Sequence, residues 1–274
     1  MIPQMVLGGA MFSFDKLNKT IGSIDKVPLI AEFIPSRWCY EALMVKQFKD
    51  NEFEKFFYDF DKTISNGDLK GTKWTAEIRQ RVDESLTGIF SKNEDRIKKA
   101  EKTLKLIQGE IARELEANPN VEFDYFDKLT VESFDAYVAD HTIDYLSRVT
   151  DYYEIEIAKA TKAKENIIMA LDAKDPKIYL DQQNKYHNEA VADIVKNIYM
   201  KQVVESDGRL IKQRDPIFRI SKPDDLFSFR THFYAPKKHF MGVYFDTFWF
   251  NMVMVWLMTG LMYITLYYDL LKKA

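Results

Sequence analysis

The sequence predicts a mainly α-helical chain in which a long, hairpin-like helical region leads into one complete C-terminal transmembrane helix. Three observations carry this reading. Thr247 to Tyr268 contains no charged residue and lies between Asp246 and Asp269. Apolar residues recur at three and four over most of residues 72–200, the spacing of helix faces. The breaks between those stretches are short, and short breaks between long helices make antiparallel neighbours.

The C-terminal run is long enough to cross a hydrocarbon core of about 30 Å, which takes about 20 helical residues. Trp249 near one end and Tyr267 and Tyr268 near the other sit where amphipathic rings settle at the two membrane interfaces. Lys272 and Lys273 follow, and cations after a last span favour a cytoplasmic C-terminus; Lys237 and Lys238 on the other side weaken that bias. Asn251 and Thr259 count as polar costs within the span.

Upstream, Asn66-Gly67 reads as a turn, and from Thr72 the residues Trp74, Ile78, Val82, Leu86 and Ile89 form one helical stripe. Ser91-x-x-Glu94 reads as a capping box after a break near Gly88. Ile97, Ala100, Leu104, Ile107, Ile111 and Leu115 then repeat with coiled-coil spacing until Asn118-Pro119. Thr130 is expected to cap a second helix reaching about Leu171. Asp175-Pro176 is expected to open a third, with Ile178, Tyr186, Ala190, Ile194 and Ile198 on one face, ending at Gly208. Residues 209–240 carry Pro216, Pro223 and Pro236 among aromatics and read as loops or short strands.

The chain has 274 residues, 30% charged side chains and a net charge of -3, so no global field points to nucleic acid. One cysteine, Cys39, excludes an internal disulfide and a thiolate metal cage. The N-terminal run from Ile2 to Phe14 lacks the basic start and cleavage site of a signal peptide and is too short to span, so it reads as the end of a longer apolar segment. Gly67-Asp68-Leu69-Lys70-Gly71-Thr72-Lys73 has the wrong spacing for a phosphate-binding loop. His141 beside Asp140 and Asp144, and His187 near Glu189, lack the paired ligands of a helical zinc site. Asp224-Asp225 reads as a turn, and no serine or cysteine nucleophile motif is present. The residues therefore assign no catalytic, cofactor-binding or metal-binding group, and the chain reads as a non-enzyme.

Four segments carry a resemblance: Ile2-Pro3-Gln4-Met5-Val6-Leu7-Gly8-Gly9, then Phe14-Asp15-Lys16-Leu17-Asn18, then Ile34-Pro35-Ser36-Arg37-Trp38-Cys39-Tyr40-Glu41-Ala42-Leu43, then Asn51-Glu52-Phe53. Together they resemble the permease end of ABC transporters of the ABCG-like type. The order Pro35-Ser36 and the Trp at position 38 depart from the usual family pattern. The resemblance implies that residues 1–53 are the end of a span and a truncated re-entrant segment, with Pro35, Arg37, Trp38, Glu41 and Ala42 as structural motif residues. It implies that residues 54–240 are an enlarged external domain, periplasmic or extracellular, and that 241–274 hold the last span and a short cytoplasmic tail in the cell (inner) membrane. The implied partners are the lipid bilayer, an ATP-binding cassette domain and the remaining spans of a dimeric transporter. ATP would be the parent transporter's cofactor, with none in this chain. Arg37 and Glu41, four apart, are expected to pair. The competing expectation is a single-pass anchored scaffold whose helices bind another protein.

Overall fold

The computed structural model describes residues 8–10, 14, 25–91, 93–206 and 208–269, and it is mainly helical. Lys272, Lys273 and most of the N-terminal apolar run lie outside the described residues. The helices are α1 (Pro35–Lys49), α2 (Tyr58–Asp68), α3 (Thr75–Phe90), α4 (Glu94–Ala117), α5 (Ala136–Asp172), α6 (Ile178–Tyr186), α7 (Glu189–Lys196) and α8 (Thr247–Tyr267). The described residues also form two antiparallel hairpins, β1 (Val203–Ser206) with β2 (Arg209–Lys212), and β3 (Lys237–Phe240) with β4 (Val243–Asp246). The chain divides into two compact units. One holds residues 1–59, 171–200 and 213–274, the other 60–170 and 201–212.

The second unit is built on antiparallel helices. Trp74 Nε1 donates to Glu110 at 2.8 Å and Lys70 pairs with Glu114 at 2.6 Å, so α4 runs back along the helix that precedes it. Thr150 donates to the Gly71 carbonyl at 2.9 Å and Arg79 to Ser147 at 2.9 Å, so α5 runs the same way on another face. Two stripes read from the sequence meet in one core, Trp74, Ile78 and Val82 with Leu104, Ile107 and Ile111, and α5 adds Val138, Tyr145, Leu146 and Val149 to it. The spacing over 97–115 thus serves a shared core rather than a two-stranded seam. Each such side chain, fully buried, contributes about 1.5–3 kcal/mol of transfer free energy.

Asn66-Gly67 is not a turn. It lies inside α2, which continues through a π-helical turn (Leu69–Trp74) into α3. The glycines serve packing: a Cβ on Gly67 would stand 2.7 Å from Ile157 Cγ1, and one on Gly71 3.1 Å from Tyr153 Cβ. Tertiary contact overrides the turn propensity of the dipeptide. The cap of α4 is Asn93, whose side chain accepts from Asp95 N and Arg96 N, while Ser91 donates back to the Gly88 carbonyl. The second long helix starts at Ala136 rather than near Thr130, with Asp135 accepting from Val138 N at 2.8 Å.

The third expected helix is two short ones. Asn188 caps α7 by accepting from Val191 N, and Asn197 ends it in the left-handed region at φ +49. Val191, Ala192 and Val195 are buried, whereas Ile194 of the expected face is exposed. Beyond it lies the β1–β2 hairpin, with Gly208 at φ +69, so Gly208 marks a strand turn and not a helix end. Residues 171–200, foreseen within one external segment, pack in the unit that also holds α1 and α8. There Met44, Val45 and Phe48 meet Val191, Val195, Ile217, Phe218 and Tyr234.

Candidate functional site

Pro35 stands in the first turn of α1, where its missing N–H costs nothing. The buried stripe of that helix is Arg37, Trp38, Glu41, Ala42, Val45 and Phe48, so two of its inward positions carry charge. Charges this deep are sustained only when paired. Glu41 Oε1 accepts from Lys238 Nζ of β3 at 2.8 Å, and Glu41 Oε2 accepts from Asn251 Nδ2 of α8 at 2.9 Å. Arg37 stands 3.5 Å from Glu41 Oε2 and 3.2 Å from Glu32 Oε2, with its guanidinium stacked 4.1 Å from the Trp38 ring centroid. The expected Arg37 and Glu41 pair is present, but it is one edge of a larger cluster.

Arg37, Glu41, Lys238 and Asn251 are all wholly buried. Lys238 also donates to Thr231 Oγ1 at 2.7 Å, and Asn251 to the Trp38 carbonyl at 3.1 Å. Trp38 Nε1 closes the other side by donating to the Glu32 carbonyl at 2.9 Å. Burial pushes the Glu41 carboxyl up, but the Lys238 and Arg37 cations outweigh it and hold the group below the usual glutamate range. Burial and the Arg37 charge push the Lys238 ammonium down, against the pull of Glu41. At Glu32 burial prevails over Arg37, and its carboxyl is raised. Arg230, 3.7 Å from Glu32 Oε1, adds a third cation at the edge of the cluster.

The cluster fixes how α8 begins. Asp246 caps that helix by accepting from Phe248 N at 3.3 Å and pairs with Lys49 of α1. Thr247 donates to the Ala235 carbonyl at 2.6 Å, and Thr247 and Asn251 are the buried residues of α8. Past this foot the helix is bare: Val253, Trp256, Leu257, Leu261 and Leu266 are all exposed, as are Tyr267 at its end and Tyr268 beyond it; Trp249 is exposed within the foot itself. α8 has 21 residues and is long and apolar enough to cross a membrane, and almost none of its apolar length is buried. Its hydroxyls are satisfied within the helix, Thr259 donating to the Val255 carbonyl at 2.9 Å and Thr265 to Met262 at 2.8 Å.

Two sequence expectations change here. Asn251 is buried at the foot of the helix, where its amide nitrogen donates to α1. Lys238 is neutralised by Glu41 and does not act as a free flanking charge. Neither role was visible in the sequence beyond the coincidence of a lone Asn one turn into an apolar helix and a Lys nine residues before it.

Chemically the cluster is a clamp. Both oxygens of Glu41 are occupied by donors, whereas both carboxylate oxygens of the buried Glu32 lack a hydrogen-bond donor. Nearby, His232 is buried between Pro216 and Ser221: Nε2 donates to the Pro216 carbonyl at 2.9 Å, so Nδ1 accepts from the Ser221 hydroxyl at 2.8 Å. Burial, with the Arg219 and Lys238 charges, pushes its imidazole well below the ordinary value. Among the described residues no group of three His, Cys, Asp or Glu side chains is placed to hold a metal ion. His141 stacks on Tyr125 with ring centroids 4.4 Å apart, and His187 meets Glu54 at 2.5 Å. Lys70, in the glycine-flanked segment, is paired with Glu114. Asn51 turns the chain out of α1, its Oδ1 accepting from Phe53 N at 2.9 Å and Glu54 N at 2.8 Å.

Fold and clamp define the class: a mainly helical protein with a helix long and apolar enough to cross a membrane, tied by its first turn to a buried charge cluster. Comparisons with family models, with curated proteins and with solved structures find no match.

Proposed function

We propose that this chain is the C-terminal part of an ABC-type transporter permease, supplying an external helical domain and the last span of an ATP-driven transporter. The observation that carries the reading is the joining of the motif helix to the apolar helix: Glu41, inside the segment that resembles the family, is bonded directly to Asn251 of α8. A wholly buried ionic clamp thus couples the helix that carries the motif residues to α8. In this reading α8 crosses the inner membrane, residues 54–240 are external, and the ATP-binding cassette and remaining spans come from outside this segment. The chain itself catalyses nothing.

The test is to read the native locus upstream of Met1 and purify whatever continuous protein it encodes in lipid nanodiscs. Vanadate-sensitive ATP hydrolysis, lost on mutating the cassette lysine of that protein, is expected. A frame that opens at Met1, with no ATP-binding cassette protein copurifying, sinks the permease and leaves the single-pass scaffold. The scaffold draws its own support from the second unit, whose helices form a separate core available to present a surface.

A further inference from the structure

The hairpin that leads into α8 is two-sided: its register puts Lys237, His239, Tyr244 and Asp246 on one face and Lys238, Phe240, Val243 and Phe245 on the other. An antiparallel sheet in water commonly packs its apolar face on the core and solvates only the polar one. Here Val243, Tyr244 and Phe245, successive residues of β4 that point alternately to both faces, are all exposed, and so is Met241 at the tip. The tip is a two-residue turn with Met241 at φ +51 and Gly242 at φ +80. Such turns favour Asn-Gly or Asp-Gly because both positions have positive φ. Methionine gives up that preference and places a long apolar side chain at the outermost point.

Leu226 and Phe227 extend the same patch. The Leu226 carbonyl accepts from Met241 N at 2.6 Å, the Phe227 ring lies 5.8 Å from that of Phe240, and both Leu226 and Phe227 are more than 60% exposed. The patch is level with the foot of α8: the rings of Phe240 and Phe245 stand 6.3 and 6.4 Å from Phe250, the fourth residue of that helix. A helix of 21 residues is about 31 Å long, close to the hydrocarbon thickness of about 30 Å, so its first turn meets the headgroup boundary. Aromatic and amphipathic side chains settle at that depth.

We infer that the β3–β4 hairpin, together with Leu226 and Phe227, inserts into the lipid interface beside α8 as a second, monotopic membrane contact. The occupant is lipid because the patch is continuous with the helix that enters the bilayer, and the inference rests on the reading of α8 as a span. The clamp then has a mechanical consequence. With β3 held through Lys238 and α8 through Asn251, both on Glu41, hairpin and helix keep a fixed depth relative to each other.

The test uses the full chain with Cys39→Ser, reconstituted in phosphatidylcholine and phosphatidylglycerol vesicles. Single cysteines replace Met241, Phe227, Leu257 and Lys99 in turn and carry a nitroxide, and collision rates with oxygen and with a water-soluble nickel chelate are compared. Leu257 is expected to favour oxygen strongly and Lys99 to favour nickel. Met241 and Phe227 are expected to shift from the Lys99 ratio toward oxygen, at an interfacial depth. If Leu257 is deep while both patch sites match Lys99, the inference is overturned and the span stands. Patch labels shielded from both reagents would mean protein cover and would also overturn it. Nickel access at Leu257 would remove the span and the inference together.

Discussion

Lys238 and Glu41 are 197 positions apart in the chain, yet their side chains meet at 2.8 Å with neither exposed to water. Removing one partner of a buried pair leaves the other charge uncompensated, which costs about 3–5 kcal/mol. Lys238→Met is therefore expected to lose about that much stability by urea unfolding in detergent micelles. Lys238→Met combined with Glu41→Gln is expected to recover part of the loss. Additive effects would show that the pair is not coupled. Because the Glu41 carboxyl is held below its unfolded value, its contribution is present above about pH 4.3 and is lost as the pH falls through the lower folded value.

His232 supplies a different pH dependence. Its imidazole is well below the ordinary value in the folded chain and returns to about 6.5 on unfolding. A depressed value stabilises the fold above the unfolded value, so stability should fall as the pH drops from about 6.5, by up to about 1.4 kcal/mol per unit. Between pH 6.5 and 5, His232→Gln is expected to show a flatter urea midpoint profile than the parent. Parallel profiles would count against the buried neutral ring.

Gly67 and Gly109 should respond in opposite directions to alanine. Both gain about 0.8–1 kcal/mol of helix propensity. At Gly67 the new Cβ would stand 2.7 Å from Ile157 Cγ1, and overpacking of about 1–3 kcal/mol is expected to exceed the gain. At Gly109 the nearest atom is a guanidinium nitrogen at 3.6 Å, so Gly109→Ala should be stabilising. Thermal unfolding followed by circular dichroism separates the two.

Removal of residues 253–274 keeps Thr247 and Asn251 in the clamp while deleting most of the exposed apolar helix. The truncated chain is expected in the supernatant after carbonate extraction, with the full chain in the membrane pellet. A truncated chain that stays in the pellet would place the anchor elsewhere.

Orientation follows from the permease reading. In a Cys39→Ser background within the native reading frame, a cysteine at Ser91 is expected to react with an impermeant maleimide on cells with a permeabilised outer membrane. A cysteine at Lys273 is expected not to react. The reverse pattern would make the helical region cytoplasmic and favour the scaffold.

The sequence by itself determined the long uncharged apolar helix, the stripes of α3 and α4, the stop at Asn118-Pro119 and the short strands within residues 209–240. Each depends on local periodicity or on residues that set φ and hydrogen bonding nearby, and these act whatever the rest of the chain does. It also placed Arg37 and Glu41 one turn apart. Tertiary structure alone decided the roles of Gly67, Gly71, Lys238 and Asn251. A glycine reads as a turn until another helix is seen to need the space, and α5 supplies that need from about 80 residues away. A lysine reads as solvated and an asparagine as an intrusion until both converge on one buried carboxylate. Such meetings depend on how distant segments pack, and no local pattern encodes a partner about 200 residues away.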